Sequence, residues 1–220
     1  MEVLQLNCHK SNAVSANLVN KLFKTRQIAL LQEPHTIDGR ITGLSNITKH
    51  YFKDKRPRAA ILSTPNINLW YCEEFSNRDM VTTLYTNQTT KIYFCSVYMD
   101  ITINTYPRTL TKLIHYCKNS GDKLIIGMDS NAHSVLWGNE TNSRGEWLEE
   151  FILDSNLIVE NQGLQPTFLA SQTSTIIDIT LTLNTEIKNW KVTDEVTLSD
   201  DICCPPSFLC GQLSSVSLSS

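Results

Sequence analysis

Asp129, Asn131 and His133 stand at alternate positions directly after Leu124-Ile125-Ile126, an apolar run that reads as a buried strand stopped by Gly127. A carboxylate and an amide placed where a strand gives way to a loop can hold a hard cation, a phosphate or an attacking water. In open α/β sheets, ligands sit beyond the carboxyl ends of strands. An Asx-rich turn would use the same residues for local reasons, because Asp, Ser and Asn favour turns. Repetition is what favours chemistry. Asn7 ends the run of Val3, Leu4 and Leu6, Glu33 follows Ile28–Leu31, and Tyr98 closes KIYFCSVY. Asp178 interrupts IIDITL, and Asp200 follows a Val-Thr segment. Polar groups on several strand ends are held rigidly by the sheet and can converge on one cleft. The chemistry such a set supports is phosphodiester hydrolysis. A Glu carboxylate binds Mg²⁺, an Asp activates water, and Asn side chains orient phosphate and nucleophile. Asp178 is the most constrained of the set, since an unpaired carboxylate in an apolar strand is costly. Its partner is either an imidazole that it orients or nearby Ser and Thr groups.

The elements that must position these residues follow from periodicity. Val14, Leu18, Leu22 and Phe23 recur at helical spacing after Ser11, a candidate N-cap. Four strands, AAILS, INLWYC, MVTTLYT and KIYFCSVYM, are rich in Ile, Val, Thr and Tyr and read as an antiparallel meander. Leu110, Leu113, Ile114 and Cys117 predict a second helix closed by Asn119-Ser120-Gly121. Trp147, Leu148, Phe151 and Ile152 predict a third. Short strands follow at 157–159, 167–169, 175–183 and 190–193. Two runs of strands with helices outside indicate one domain, 1–201, built as two packed sheets in an α/β sandwich. Residues 202–220, ICCPPSFLCGQLSSVSLSS, have no period and read as a divergent, disordered tail.

Composition narrows the function classes. The 220 residues suffice for a sizeable core, and 41% hydrophobic with 19% charged residues is ordinary for a globular protein. No apolar run approaches the roughly 18 residues of a membrane span, and the N-terminus lacks the pattern of a signal peptide. Seven cysteines, four of them single within apolar segments, fit reduced thiols of an intracellular protein. The net charge of -3 argues against a strongly basic nucleic-acid module, yet it is unevenly spread. Residues 1–110 carry 13 Lys/Arg against 8 Asp/Glu, and residues 111–220 carry 6 against 14. The acidic half suits Mg²⁺. The basic half includes Lys49 to Arg58, a candidate phosphate-contacting edge or a solvated loop.

In order, LQLN (4–7), LLQEPH (30–35), SVYM (96–99), GMDSNAHSVLWG (127–138), NSRGEWLEEFI (142–152), PTF (166–168), STIIDITL (174–181) and LSD (198–200) resemble the endonuclease/exonuclease/phosphatase superfamily. Within it the chain is most similar to the apurinic/apyrimidinic-type endonuclease domains of non-LTR retrotransposons. The resemblance implies a DNase I-like, four-layered α/β sandwich of mainly antiparallel sheets with outer helices. It implies an Mg²⁺-dependent nick in double-stranded DNA, with Mn²⁺ as an alternative ion, acting in the nucleus beside a reverse-transcriptase domain. On the matching positions, Asn7, Glu33 and Asp200 become metal-side ligands, Asn7, Asn131 and Thr167 substrate contacts, and Tyr98 the phosphate-binding tyrosine. Asp129 and Asn131 flank the attacking water, and Asp178 orients the catalytic His.

One position departs from that pattern. The family ends the last motif Ser-Asp-His, whereas Asp201 follows Asp200 here. An imidazolium stabilises charge developing on the scissile phosphate; a carboxylate repels it, and the loss of such a group costs roughly 10²–10⁴ in rate. His35 and His133 match family positions outside the catalytic set. The tail that follows reads as a frameshift, read-through or truncation, with no reverse-transcriptase domain after it. Besides an impaired endonuclease, two alternatives stand at this point. One is a catalytically dead remnant or DNA-binding module; the other is a different phosphoesterase of the same fold.

Overall fold

The computed structural model describes residues 1–12, 14, 27–42, 48–103, 105, 107–170, 173–193, 208–209 and 213–217. Its strands are β1 (Glu2–Asn7), β2 (Gln27–Gln32), β3 (Thr36–Ile37), β4 (Arg40–Ile41), β5 (Lys49–Tyr51), β6 (Ala59–Ser63), β7 (Leu69–Tyr71), β8 (Met80–Thr86) and β9 (Lys91–Tyr98). After helix α1 (Arg108–Ser120) comes β10 (Lys123–Asp129), then helix α2 (Ser143–Asp154). The remaining strands are β11 (Ile158–Val159), β12 (Phe168–Ala170), β13 (Thr173–Thr175), β14 (Asp178–Leu183), β15 (Lys188–Thr193), β16 (Phe208–Leu209) and β17 (Leu213–Ser217).

Two six-stranded sheets dominate, ordered β15-β17-β1-β2-β6-β5 and β11-β14-β10-β9-β8-β7. Each is antiparallel except for one central parallel pair, β1–β2 in the first and β9–β10 in the second. The runs Ile28–Leu31 and Leu124–Ile126 are continuously apolar because both faces of these strands are covered. Leu30, Ile61, Val81, Phe94 and Ile125 pack between the sheets. Leu124, Ile126 and Met128 turn the other way, onto Leu113, Ile114 and Cys117 of α1 and Leu148 and Ile152 of α2. Leu4, Leu6, Leu31 and Leu62 cover the outer face of the first sheet together with Val14. This is the expected α/β sandwich. Both described helices bury the apolar stripes read from their periodicity, Trp147 of α2 only in part, and Gly121 ends α1 in the left-handed conformation, φ 72°. Most of the helix expected after Ser11 lies outside the described residues.

Two features differ from expectation. AAILS does not begin the meander: β6 pairs with β2 and β5 in the first sheet, and the chain crosses to the second sheet before β7. Local alternation identifies a strand, but its sheet is chosen by which apolar face it covers. Within 202–220, expected to hold no closing strand, β17 lies between β1 and β15 and pairs antiparallel with both. Strand pairing is main-chain hydrogen bonding, which a serine-rich segment supplies as well as an apolar one. Of the seven cysteines, Cys8, Cys72, Cys95 and Cys117 are free thiols.

Candidate active site

The two parallel pairs bring their carboxyl ends to the same edge of the sandwich. Asn7 ends β1 beside Gln32, and Glu33 follows β2. Tyr98 ends β9 beside Asp129, the last residue of β10, and Asp129 is in turn paired with Asp178, the first residue of β14. One row therefore runs Tyr98, Asp129, Asp178 across three strands. The first sheet meets it through Asn7, whose Nδ2 donates to Asp129 Oδ2 at 2.6 Å. Below that contact the interface between the sheets is polar and buried. Gln5 Nε2 donates to the Met128 carbonyl, Gln32 Nε2 to Ser96 Oγ and the Gly127 carbonyl, and Thr180 Oγ1 to Gln5 Oε1. The sheets approach closely at Gly127, where a Cβ would stand 2.9 Å from Leu30 Cδ1 and 3.0 Å from Gln5 Oε1, so that a larger residue would make these side chains shift.

An open cavity of about 450 Å³ is lined by Asn7, His9, Glu33, Tyr98, Asp129, Asn131, His133, Asn142 and Phe168, among others. Five of the residues expected at the site thus face one space. Asp178 lies just behind it, buried. Its main-chain N–H and that of Ile177 donate to Thr167 Oγ1 at 3.0 and 3.1 Å, and Asp178 Oδ1 has no hydrogen-bond partner among the described residues. Thr167, expected as a substrate contact, is buried beneath Asp178 and is not one of the cavity's lining residues. Asp200, and Asp201 after it, lie outside the described residues.

The electrostatics follow from burial. Asp178 is pushed up to about 7 by desolvation, opposed by its hydrogen bond with Thr167. Asp129 is raised well above the usual carboxylate range by desolvation, then by Asp178 and Glu33. Two like charges on opposed positions of one ladder cannot both ionise cheaply. Burial, with Glu33 and Asp129 nearby, also holds the Tyr98 phenol up to about 12, so it remains a proton-bearing donor. Glu33 has φ 45° and accepts Lys10 Nζ at 2.9 Å. The oxygen donors here suit a hard cation that keeps several waters, as Mg²⁺ does with one or two carboxylates. Among the described residues, no group of three or more His, Cys, Asp and Glu forms a complete cage.

Sequence reasoning missed how the loops are held. Arg144 donates to the carbonyls of Ser130, Ile103 and Asp100 at 3.1, 2.9 and 3.0 Å, tying the β9 and β10 exits together. Asn131, at φ 47°, donates from Nδ2 to the Met99 carbonyl. Asn142 caps α2, accepting from the Gly145 and His133 amides. Asn139 pairs its amide with both main-chain groups of Ile176, as a strand would. Of these, Asn131, Asn142 and Arg144 lie in the motifs quoted above, Asn131 as an expected site residue, and Asn139 lies in none. His9, which packs against Phe168 with ring centroids 5.6 Å apart, carried no signal.

Across the Lys10–Glu33 ion pair, a second cavity of about 740 Å³ is lined by Lys10, Lys55, Arg56, Arg58 and Arg78 as well as His35 and Asp38. The basic run divides here. Lys49 donates to the Ile67 carbonyl and Asn68, and Lys53 pairs with Glu73. Lys55 and Arg56 face the cavity, with no side-chain ion pair among the described residues.

Two mixed sheets meeting at the ends of their parallel pairs, with outer helices and a row of oxygen donors at the junction, define a DNase I-like α/β sandwich. Residues 92–201, half of the chain, match the family described as Endonuclease-reverse transcriptase. The chain belongs to this family, an apurinic/apyrimidinic-endonuclease-like branch of the endonuclease/exonuclease/phosphatase superfamily related to non-LTR retrotransposon endonucleases. It is 26% identical over 215 residues to the 115 kDa protein in type-1 retrotransposable element R1DM of Drosophila melanogaster, covering 90% of this chain and 21% of that protein. It is 29% identical over 135 residues to the Pol polyprotein from type-1 retrotransposable element R1 of Bradysia coprophila, covering 56% and 13%. The chain thus spans about a fifth or less of the curated relatives' length. Among solved structures, it superposes on the endonuclease domain of TRAS1, a telomere-specific non-LTR retrotransposon, with TM-score 0.75, 20% identity and 99% and 97% coverage. The Xenopus laevis APE2 catalytic domain gives TM-score 0.63 at 15% identity, with 99% and 91% coverage. Among the described residues, no helix is long and apolar enough to cross a membrane.

Proposed function

We propose that the chain is a metal-dependent DNA endonuclease domain that nicks one strand of a duplex by hydrolysis, the activity through which a retrotransposon opens its target. The observation that carries this reading is the Asn7–Asp129 hydrogen bond joining the two sheets, with Tyr98 and Asp178 flanking Asp129 in register. Asp129, held by Asn7 at one oxygen and approached by the Asn131 amide at the other, is oriented to take a proton from an attacking water. Tyr98 donates to a phosphoryl oxygen. Asp178 and Thr167 fix the far side of the row. Mg²⁺, held by Glu33 and Asn7 with Asp200, would supply Lewis-acid polarisation of the phosphoryl group, with Mn²⁺ as a substitute. Lys10, Lys55, Arg56 and Arg78 around the adjoining cavity suit the phosphates of a flanking strand.

Turnover is proposed to be weak. Asp201 stands where the family resemblance places a histidine, and Asp178 Oδ1 lacks a partner among the described residues. An acid in that place cannot offer the phosphate a cation. Incubating supercoiled plasmid with the purified chain and Mg²⁺ tests the reading. Slow conversion to open circles that disappears in Asp129→Asn supports it. Nicking that survives Asp129→Asn assigns the activity to a contaminant.

A further inference from the structure

Arg58, the residue before β6, commits all three guanidinium nitrogens to two carboxylates. Nε and Nη2 fork onto the two oxygens of Asp79 at 2.5 and 2.6 Å, and Nη1 donates to Asp100. The same planar group lies over the Tyr98 ring, with Cζ 4.9 Å from the centroid. The side chain is 17% exposed. Asp79 closes the circuit from the other side, because its carbonyl accepts the Tyr98 main-chain N–H at 2.8 Å. Asp100 lies two residues past Tyr98 and is itself fixed by the Thr102 amide and hydroxyl. Tyr98 is therefore gripped at its ring, at its backbone and at the loop it leads into. With two carboxylates on one guanidinium, the cluster carries no spare positive charge for a phosphate. Arg58 also ties the entrance of β6 to the exit of β2, since its carbonyl accepts the Glu33 amide at 2.8 Å.

We propose that Arg58 is a positioning residue that sets the Tyr98 phenol at the scissile phosphate, and does not itself bind substrate. The inference rests on the endonuclease reading for what Tyr98 touches, but not for how Tyr98 is held. A lysine would keep the charge and lose both the fork and the flat face that stacks on the ring.

A double-mutant cycle of Arg58→Met and Tyr98→Phe, read as nicking rate, separates this role from a structural one. R58M should slow nicking on the order of tenfold in the Tyr98 background and hardly at all in Y98F, since misplacing a reacting partner costs 10-fold or more. R58K should not restore the rate. A second readout needs no DNA. In protein carrying 3-fluorotyrosine, the Tyr98 ¹⁹F line, identified by its absence in Y98F, should shift and broaden in R58M and R58K while the Tyr51 line stays. An unchanged Tyr98 line, or equal rate losses in both backgrounds, overturns the inference. Failure of the unsubstituted chain to bind or nick DNA overturns the endonuclease reading instead.

Discussion

Asp129 and Asp178 are register partners across the β10–β14 ladder, so two buried carboxylates share one face at the end of the second sheet. Burial and mutual repulsion favour keeping a proton between them, and the pair titrates as a unit. The Asn131 amide and Arg144 oppose the rise at Asp129, and Thr167 opposes it at Asp178, but desolvation outweighs them. Further relief can come from the cavity side, through a cation or an imidazolium, which makes the pair a cost of folding and a device for chemistry at once.

That cost has a pH signature. The folded-state value of Asp178, about 7, lies above the ordinary value of 3.8, so between them the folded chain holds a proton that the unfolded chain has released. Stability therefore falls as pH rises through this window. Asp178→Asn removes the ionisation. It should stabilise the protein on the order of a few kcal/mol at about pH 8, with the advantage vanishing near about pH 4. Thermal melts of both proteins across this range check it; a difference independent of pH would count against it.

Asp201→His should raise the Mg²⁺-dependent nicking rate by roughly 10²–10⁴ if the resemblance at this position is functional. The gain should vanish in D201H/D178N, because the new imidazole would lose the group that orients it. Plasmid nicking by the two variants, side by side, decides the matter. Equal rates for the unsubstituted chain and D201H would show that position 201 does not limit turnover.

The adjoining basic cavity makes an ionic prediction. If Lys55 and Arg56 neutralise two phosphates, the slope of log affinity against log salt should become shallower by about 1.8 in K55Q/R56Q, at roughly 0.9 per phosphate. Lys112→Gln, on the exposed face of α1, should leave the slope alone. Fluorescence-anisotropy titrations at several salt concentrations measure both.

Gly145 sits in the first turn of α2, against the main chain of His133, and a Cβ there would run into the His133 carbonyl. Gly145→Ala should force the helix start away from the loop that carries Asn131 and weaken the Asn142 cap. The expected destabilisation is ~1–3 kcal/mol, the usual size for overpacking, measured by urea unfolding. A neutral or stabilising result would mean that this loop gives way more easily than its hydrogen bonds suggest.

Much of the site was legible because its residues sit on strand ends, where an apolar run stops at a polar group. Asn7, Glu33, Tyr98, Asp129 and Asn131 share that signature and share one cavity. The helices were legible from their apolar stripes. What could not be read is partnership at a distance. Arg58 looks like one more cation in a basic run, but its partners lie 21 and 42 residues further on. The strand 59–63 looks like its neighbours in sequence, yet it belongs to the other sheet. Position 167 carries a polar residue in a recognisable motif, and only the fold reveals that its hydroxyl turns inward to Asp178. Asp200, named from the last motif, lies outside the described residues.

The buried glutamines between the sheets act as a ruler. Apolar faces pressed together resist separation but slide past one another easily, since their attraction has no direction. Hydrogen bonds from Gln5 to Met128 and from Gln32 to Gly127 have direction, and each indexes a strand of one sheet to a stated residue of the other. Such an index fixes where Asn7 arrives relative to Asp129 before either meets a ligand. Replacing Gln5 with a leucine could give a protein as stable as the original in which two half-sites no longer line up.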